Sequence, residues 1–125
     1  MSVGVGIDLV DVERLASALR RRPRLATRVF TEHELDSRAT GNRRVERLAA
    51  RFAAKEATMK ALGVGMSGFR MHDVVVVASA DGRPSLLLHG AAREHARQLG
   101  VRSLSVSLTH TSTLAAAMVV AERAT

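Results

Sequence analysis

Apolar residues alternate with glycine or polar residues from the third position of the chain. The apolar positions of this alternation are Val3, Val5, Ile7 and Leu9. The positions between them are Gly4, Gly6 and Asp8. Such alternation predicts a β-strand over about 3–10 with its apolar side chains on the buried face. Glycine inside a strand usually marks the close approach of another group, so the bare face indicates a tight contact beside a carboxylate.

The pattern then predicts three helices before residue 64. A helix from about 11 to 22 ends before Pro23, because the residue that precedes a proline disfavours helix. Thr31 and Glu34 have the spacing of a capping box, which predicts a helix start within FTEHEL. The polar segment 36–44 predicts a loop, and an alanine-rich helix from about 44 to 62 is expected to end at Gly63.

The second half of the chain predicts strands around one more helix. Strands are expected over 72–79 and 85–90 with a turn in DGRP between them, and an amphipathic helix over 91–100. Two further strands over 103–110 and 114–122 flank a turn. This order predicts a single α+β domain over 1–125, with a mainly antiparallel sheet and the long alanine-rich helix packed on it.

Composition narrows the classes of protein that the chain can be. It has 125 residues, of which 46% are hydrophobic and 2% aromatic, so we expect one domain with an aliphatic core. The absence of cysteine excludes disulfides and thiolate-bound metals and favours a reducing cytoplasm. No secretory signal is evident, and no apolar run approaches the roughly 20 residues that span a bilayer, so no membrane association is expected.

The net charge of +7 indicates an anionic partner. Nucleic acid, a phosphorylated small molecule and an acidic protein are all candidates, although the lack of Tyr and Trp weakens the case for single-stranded nucleic acid. An arginine cluster within 15 residues either solubilises the surface or docks an acidic partner. Its members are Arg14, Arg20, Arg21, Arg22, Arg24 and Arg28.

The long helix carries a second bare face with an acid beside it. At about 100° per residue, an apolar stripe is separate from an alanine face. The stripe holds Val45, Leu48, Phe52 and Met59, and the alanine face holds Ala49, Ala53 and Ala57. We hypothesise that this face meets the glycines of the first strand and brings Glu56 to Asp8. Two such carboxylates need a proton or a cation between them, and magnesium completed by substrate phosphates fits.

Two lysines of this helix each have two interpretations. Lys60 forms an i,i+4 pair with Glu56, which could be no more than a surface ion pair. Lys55 falls inside the apolar stripe, where it either extends its ammonium group to the surface or faces a phosphate.

His110 ends the predicted strand SLSVSLTH and is also open to two interpretations. It shares the alternation phase of Leu104, Val106 and Leu108, which favours a core histidine. It also lies close in sequence to Ser107 and Thr109, whose hydroxyls could hold a phosphate while the imidazole donates or accepts a proton. The sequence has no P-loop, no GxGxxG motif and no nucleophile elbow.

Five segments, in order, resemble the holo-[acyl-carrier-protein] synthase family of small 4′-phosphopantetheinyl transferases. GIDLVDVERL is similar to the family's GxD…R motif, FTEHEL to the segment that follows it, and RFAAKEATMKALG at 51–63 closely to its core motif. DGRPSLLL resembles its GxP hairpin and VSLTHTSTLAAAMV its histidine strand. The resemblance implies that coenzyme A donates its 4′-phosphopantetheine arm to a serine of an apo acyl carrier protein and releases adenosine 3′,5′-bisphosphate.

The resemblance also implies a role for each matched residue. Asp8 and Glu56 are expected to hold magnesium against the diphosphate, and Lys60 to neutralise charge as the bond breaks. His110 is expected near the diphosphate as donor or base, with a water molecule on the metal as the competing base. The expected coenzyme A contacts are Arg51, Lys55, Lys60, Gly63, Gly82, Arg83, Pro84, Ser107, Thr109 and His110.

The expected partners follow from the same resemblance. Acyl carrier proteins are acidic, so arginines are expected to dock the carrier, whether it serves fatty acid or polyketide synthesis. The foremost of these are Arg14, Arg21, Arg24 and Arg28.

For a chain of this size, the resemblance also implies a homotrimer with active sites between subunits. The chain departs from the family pattern at Thr111, because many relatives have an acidic residue directly after the histidine. Segment 36–47 matches no motif of the family. The alternative function is a basic nucleic-acid-binding module without catalysis.

Overall fold

The computed structural model describes residues 2–36, 38–65 and 68–124, which form an α+β fold. A 3₁₀ turn, Met71–Asp73, precedes the second strand. The other elements follow one another as β1 (Ser2–Asp11), α1 (Val12–Arg21), α2 (Leu25–Val29), α3 (Glu32–Leu35), α4 (Gly41–Ala61), β2 (Val74–Ala78), β3 (Pro84–Leu88), α5 (Gly90–Gln98), β4 (Val101–His110) and β5 (Leu114–Arg123). The predicted fold class is confirmed, while α2 was not predicted.

The strands form two antiparallel sheets. One has the order β1-β5-β4, and the other is the β2-β3 hairpin. Helix α4 packs across the three-stranded sheet, so the core lies between them and is rich in alanine. Within the described part of the chain, the helices are too short or too polar to cross a membrane.

Three helix ends have identifiable caps, of which those at Thr31 and Gly63 were predicted. Asp11 accepts a hydrogen bond from the backbone N–H of Arg14 at 2.9 Å, which begins α1. Thr31 and Glu34 form the predicted capping box at α3. Gly63 follows α4 with a φ of +70°, a left-handed conformation that glycine adopts without strain.

Helix α4 begins at Gly41, three residues earlier than predicted. The side-chain amide of Asn42 donates to Glu46 Oε2 at 2.9 Å and to the carbonyl oxygen of Ser112 at 3.3 Å. The second bond joins this first turn to the connection between β4 and β5. Part of the predicted loop 36–44 is therefore helical, and Ser37 lies outside the described residues.

The buried face of β1 is the opposite of the one predicted. Gly4 and Gly6 face α4, where a Cβ on either glycine would collide with the carbonyl oxygen of Ala61 or Ala57. Because the glycine face is turned inwards, the apolar side chains point outwards. Their exposed fractions are 55% for Val3, 56% for Val5, 66% for Ile7 and 65% for Leu9.

Replacing Gly6 with alanine is expected to lower the free energy of unfolding by about 1–3 kcal/mol, since overpacking forces β1 and α4 apart. Denaturant unfolding measures this. The matched control is Gly65→Ala, because a Cβ at Gly65 has no described atom within 4 Å. Its stability is expected to equal or slightly exceed that of the unaltered protein. A Gly6→Ala variant as stable as the control would contradict the close contact.

Candidate functional site

Asp8 and Glu56 meet where β1 crosses α4. Their carboxyl groups are close enough for the negative charge of Asp8 to act on Glu56. Lys60 donates to Asp8 Oδ1 at 3.1 Å and to the carbonyl oxygen of Ile7 at 3.0 Å. The Asp8 side chain is only 10% exposed, whereas that of Lys60 is 57% exposed. The predicted approach of the two acids is confirmed, and their role in metal binding stays a prediction.

The proximity of the two acids changes the protonation of Glu56. Burial raises the pKa of Glu56 to about 7, and the neighbouring carboxylate of Asp8 acts in the same direction. The positive charge of Lys60 opposes this shift. The site therefore takes up a proton near neutral pH unless a cation separates the carboxylates.

The atoms around Asp8 fit a hard divalent cation. Asp8 Oδ2 is buried and receives no hydrogen bond from the residues that the structure describes. Among those residues, no three His, Asp or Glu side chains converge on one point. Two carboxylates, with water and substrate phosphates as further ligands, are the usual protein contribution to a magnesium site. Asp8 and Glu56 thus have the right chemistry for magnesium.

A second cluster lies around His110 on another face of α4. Arg51, Gly82, Pro84 and His110 line a cleft of about 360 Å³, together with Arg47. Arg51 Nη1 is buried without a hydrogen-bond acceptor among the described residues. Burial lowers the pKa of the Arg51 guanidinium, the carboxylate of Glu34 raises it, and the charge of Arg47 lowers it. A buried cationic N–H without an acceptor indicates an anion site.

The imidazole of His110 is not a core group. Its side chain is 43% exposed, and Nδ1 lies 3.1 Å from Glu46 Oε1. Residues of the same phase, such as Val106 and Leu108, do pack against the core. His110 differs because it is the last residue of β4, paired with Ala115, and its imidazole lies beside Glu46 of α4. Of the two interpretations of His110, the core histidine is therefore wrong, and the role beside a phosphate stays a prediction.

Ser107 and Thr109 do not lie beside His110 within one chain. They pair in register with Met118 and Ala116, so they occupy the outer face of the sheet, with the exposed side chains of β1. Thr111, the departure from the family pattern, accepts hydrogen bonds from the backbone N–H groups of Thr113 and Leu114 and closes the β4–β5 turn.

Lys55 has a structural role in place of the predicted contact with coenzyme A. Its side chain is fully buried, and its ammonium group donates to Glu34 Oε1 at 2.8 Å and to the carbonyl oxygens of Met71 and Val74. Glu34 Oε2 accepts the N–H of Val76 at 2.9 Å. Burial lowers the pKa of Lys55, and Glu34 opposes that shift. All three N–H groups are used, so none is left for a phosphate.

The two clusters point in different directions from α4. Arg51 and Glu56 are five residues apart, which places them about 140° apart around the helix and about 7.5 Å apart along it. Of the other predicted contacts, Arg83 is exposed in the hairpin turn beside Asp81, and Gly63 ends the helix. One chain therefore carries two separate clusters, and it does not bring His110 to Asp8.

A second cleft, of about 410 Å³, joins the arginine cluster to Glu56. Arg14 and Glu56 both line it, with an apolar wall that includes Leu15 and Phe52. Arg24 and Arg28 line a neighbouring cleft with Arg22, and Arg21 is exposed at the end of α1. Arg20 pairs with Glu13 at 3.0 Å.

Sequence reasoning missed Glu46 and Arg47, which lie in the segment that matched no motif. Glu46 contacts His110 across 64 residues of sequence. No local spacing signals such a contact, although two charged residues on the first turns of a helix would have been a reason to examine the segment.

In metal-free protein, the pKa of Glu56 predicts a pH-dependent stability. A raised pKa contributes stability that is complete below about pH 4.5 and is lost as the pH rises through about 7. Glu56→Gln lacks this titration, so the unaltered protein is expected to lose melting temperature relative to the variant between pH 5 and 8 in EDTA. Glu94→Gln is the control, since hydrogen bonding by Arg97 lowers the pKa of Glu94 and keeps it ionised over this range. A constant difference for Glu56→Gln would contradict the shifted pKa.

Known proteins share both the sequence and the fold. The model of the 4′-phosphopantetheinyl transferase superfamily matches residues 4–117. The holo-[acyl-carrier-protein] synthase of Frankia casuarinae is 51% identical over 120 residues, which cover 96% of this chain and 97% of that protein. The holo-(acyl-carrier-protein) synthase from Bacillus anthracis in complex with CoA (3′,5′-ADP) superposes with a TM-score of 0.79 at 30% identity, covering 97% of this chain and 96% of that one. The Helicobacter pylori holo-[acyl-carrier-protein] synthase in complex with coenzyme A has a TM-score of 0.79 at 27% identity, covering 94% of this chain and 99% of that one. The chain therefore belongs to the 4′-phosphopantetheinyl transferase superfamily.

Proposed function

We propose that this protein transfers the 4′-phosphopantetheine arm of coenzyme A to a serine of an apo acyl carrier protein. The serine oxygen bonds to the phosphorus nearer the pantetheine arm, and the bond from that phosphorus to the bridging oxygen breaks. Adenosine 3′,5′-bisphosphate leaves, and the serine proton passes to a base. The observation that carries the proposal is the paired carboxylates of Asp8 and Glu56, with Lys60 beside them.

The residues around Asp8 stabilise charge on the diphosphate. Phosphoryl transfer depends mainly on positioning and charge stabilisation. Magnesium bound by Asp8 and Glu56 would supply positive charge against the diphosphate oxygens. Lys60 pairs with Asp8 through a largely exposed side chain, so its ammonium group can turn from Asp8 towards the leaving oxygen. The close packing of β1 on α4 fixes the position of Asp8.

The second cluster supports binding of the adenosine bisphosphate half of coenzyme A. The cleft places His110 and the guanidinium groups of Arg47 and Arg51 around one volume. The unpartnered Nη1 of Arg51 offers a donor for a phosphate oxygen. Arginine binds phosphate through two parallel hydrogen bonds, so this cleft suits a phosphate better than a neutral ligand.

The arginine cluster supports docking of an acidic carrier next to Glu56. Arg14 and Glu56 line the same cleft, so a carrier bound over α1 would bring its serine to the carboxylate pair. The exposed side chains of Arg21, Arg24 and Arg28 extend the positive surface away from that cleft. Such a field raises the rate of encounter with an acidic partner.

The outward apolar face of β1 supports assembly of the chain into a homotrimer, the number implied by the family resemblance. Ile7 lies opposite Met118 in the sheet, and Met118 is itself exposed, so the face spans two strands. Exposed apolar patches of this kind mark contact surfaces. Assembly through this face would place Ser107 and Thr109 at the interface. It also allows the Asp8 cluster of one subunit and the His110 cluster of the next to form one site.

Transfer is tested by incubating the protein with coenzyme A, magnesium and an apo acyl carrier protein, and weighing the carrier by mass spectrometry. The unaltered protein is expected to add the mass of the phosphopantetheine arm. Glu56→Gln is expected to lower the rate by about two orders of magnitude, since several kcal/mol of charge stabilisation are lost. Glu94→Gln, on the distant helix α5, is the matched control. An unchanged carrier mass, with RNA binding that falls steeply with salt, would favour the nucleic-acid-binding alternative.

Mixing two inactive variants tests the shared site. Glu56→Gln and His110→Ala damage different clusters, so co-assembled subunits are expected to regain activity at about a quarter of the sites on random mixing. Mixing Glu56→Gln with Asp8→Asn, which damage the same cluster, is the control and should restore nothing. If the first mixture also stays inactive, each site lies within a single subunit.

A further inference from the structure

Glu46 has no role in the function proposed above, although both oxygens of its carboxylate are engaged. Oε1 lies 3.1 Å from His110 Nδ1, and Oε2 accepts a hydrogen bond from the side chain of Asn42 at 2.9 Å. The Glu46 side chain is only 14% exposed. A largely buried carboxylate with two side-chain partners is held in one orientation.

Asn42 fixes that orientation from the other side. It lies four residues before Glu46, on the same face of α4. Its amide also donates to the carbonyl oxygen of Ser112, in the turn that follows His110. The helix start, the carboxylate and the β4–β5 turn therefore form one network, and a rotation of Glu46 away from His110 would break it.

The contact determines which nitrogen of His110 meets a ligand. An ionised carboxylate can only accept hydrogen bonds, so Nδ1 must carry the proton that lies between them. Nε2 is then the ring nitrogen left for a ligand in the cleft that His110 lines with Arg47 and Arg51. It accepts a proton when the ring is neutral and donates to a phosphate oxygen when the ring is protonated.

We propose that Glu46 is a positioning residue that holds His110 in the Nδ1–H tautomer and directs Nε2 to the anion in the cleft. The proposal rests on the proposed binding of coenzyme A by this cleft. Glu46 itself touches neither substrate nor the reacting atoms. It acts on the reaction through the imidazole, as the carboxylate beside a catalytic histidine does in hydrolases.

The tautomer is measured directly by long-range ¹H–¹⁵N correlation spectra of ¹⁵N-histidine-labelled protein at alkaline pH. The unaltered protein is expected to show an unprotonated Nε2 for His110. Glu46→Ala is expected to shift the ring towards the Nε2–H tautomer, since no carboxylate then accepts from Nδ1. Glu94→Ala, which removes a carboxylate paired with Arg97, is the matched control and should change nothing. An unchanged tautomer in Glu46→Ala would overturn the proposal.

A double-mutant cycle measures the effect on transfer. Glu46→Ala is expected to lower kcat by about 10- to 100-fold, which is the range seen when a residue that orients a functional histidine is removed. The effect on KM for coenzyme A is expected to be smaller. In a His110→Ala background the same substitution is expected to cost nothing further. An equal loss in both backgrounds would show that Glu46 only stabilises the fold, and would overturn the proposal.

The outcomes separate this inference from the function on which it rests. If the unaltered protein transfers nothing to any apo carrier, the proposed function fails, and the histidine spectra still decide the role of Glu46. If transfer occurs and His110→Ala retains full activity, the protein is a transferase in which Glu46 has no catalytic group to position, and the inference alone fails.

Discussion

The architecture depends on a contact between two backbones. Helix α4 lies so close to β1 that the carbonyl oxygens of Ala57 and Ala61 occupy the space where side chains on Gly6 and Gly4 would be. Only glycine on the strand and alanine on the helix allow this approach, and a void or a larger side chain would move the two elements apart. Asp8 follows the glycines on the same face and Glu56 precedes Ala57, so the same contact that forms the core brings the two carboxylates together. The geometry of the candidate metal site is thus a consequence of the packing.

The same constraint accounts for the surface that the chain leaves exposed. A strand has two faces, and when β1 turns its glycines towards α4 its valines, isoleucine and leucine must point away from the core. The sheet of a single chain therefore has an exposed apolar face. The same chain also keeps the Asp8 cluster and the His110 cluster apart on α4. Both features suit a site that is completed by another subunit. The exposed face follows from which face of β1 packs on the helix, and the separation of the clusters follows from the five-residue spacing of Arg51 and Glu56 on α4.

Buried charge is handled in two contrasting ways. Lys55 and Glu34 are fully enclosed, and every hydrogen-bonding atom of the lysine has a partner, so this pair joins α3, β2 and α4 and has no capacity left for a ligand. At the candidate site the opposite holds, because Asp8 Oδ2 and Arg51 Nη1 are buried without partners among the described residues. Buried polar atoms in folded proteins are normally satisfied. Of the three exceptions among the described residues, Asp8 Oδ2 suits a cation and Arg51 Nη1 suits an anion, and the third is Arg123 Nε at the end of β5.

Local pattern was enough to predict most helices and strands, the capping box at Thr31 and the helix end at Gly63, because each of these depends on spacing along the chain. It also predicted the pairing of Asp8 with Glu56, because the strand and the helix each have a face of glycine or alanine beside an acid. It was not enough to show which face of β1 is buried, since alternation is the same whichever face packs inwards. It also misplaced Lys55, left His110 open between two interpretations and gave no sign of Glu46. The partners of Lys55 lie 16 to 21 residues away in sequence, and His110 and Glu46 are 64 residues apart. Contacts between residues so far apart in sequence depend on how α4 crosses the sheet, and the spacing of residues along the chain does not predict that crossing. The residue types determine which chemistry is available to this chain, whereas the folded structure determines how those residues are grouped into two clusters.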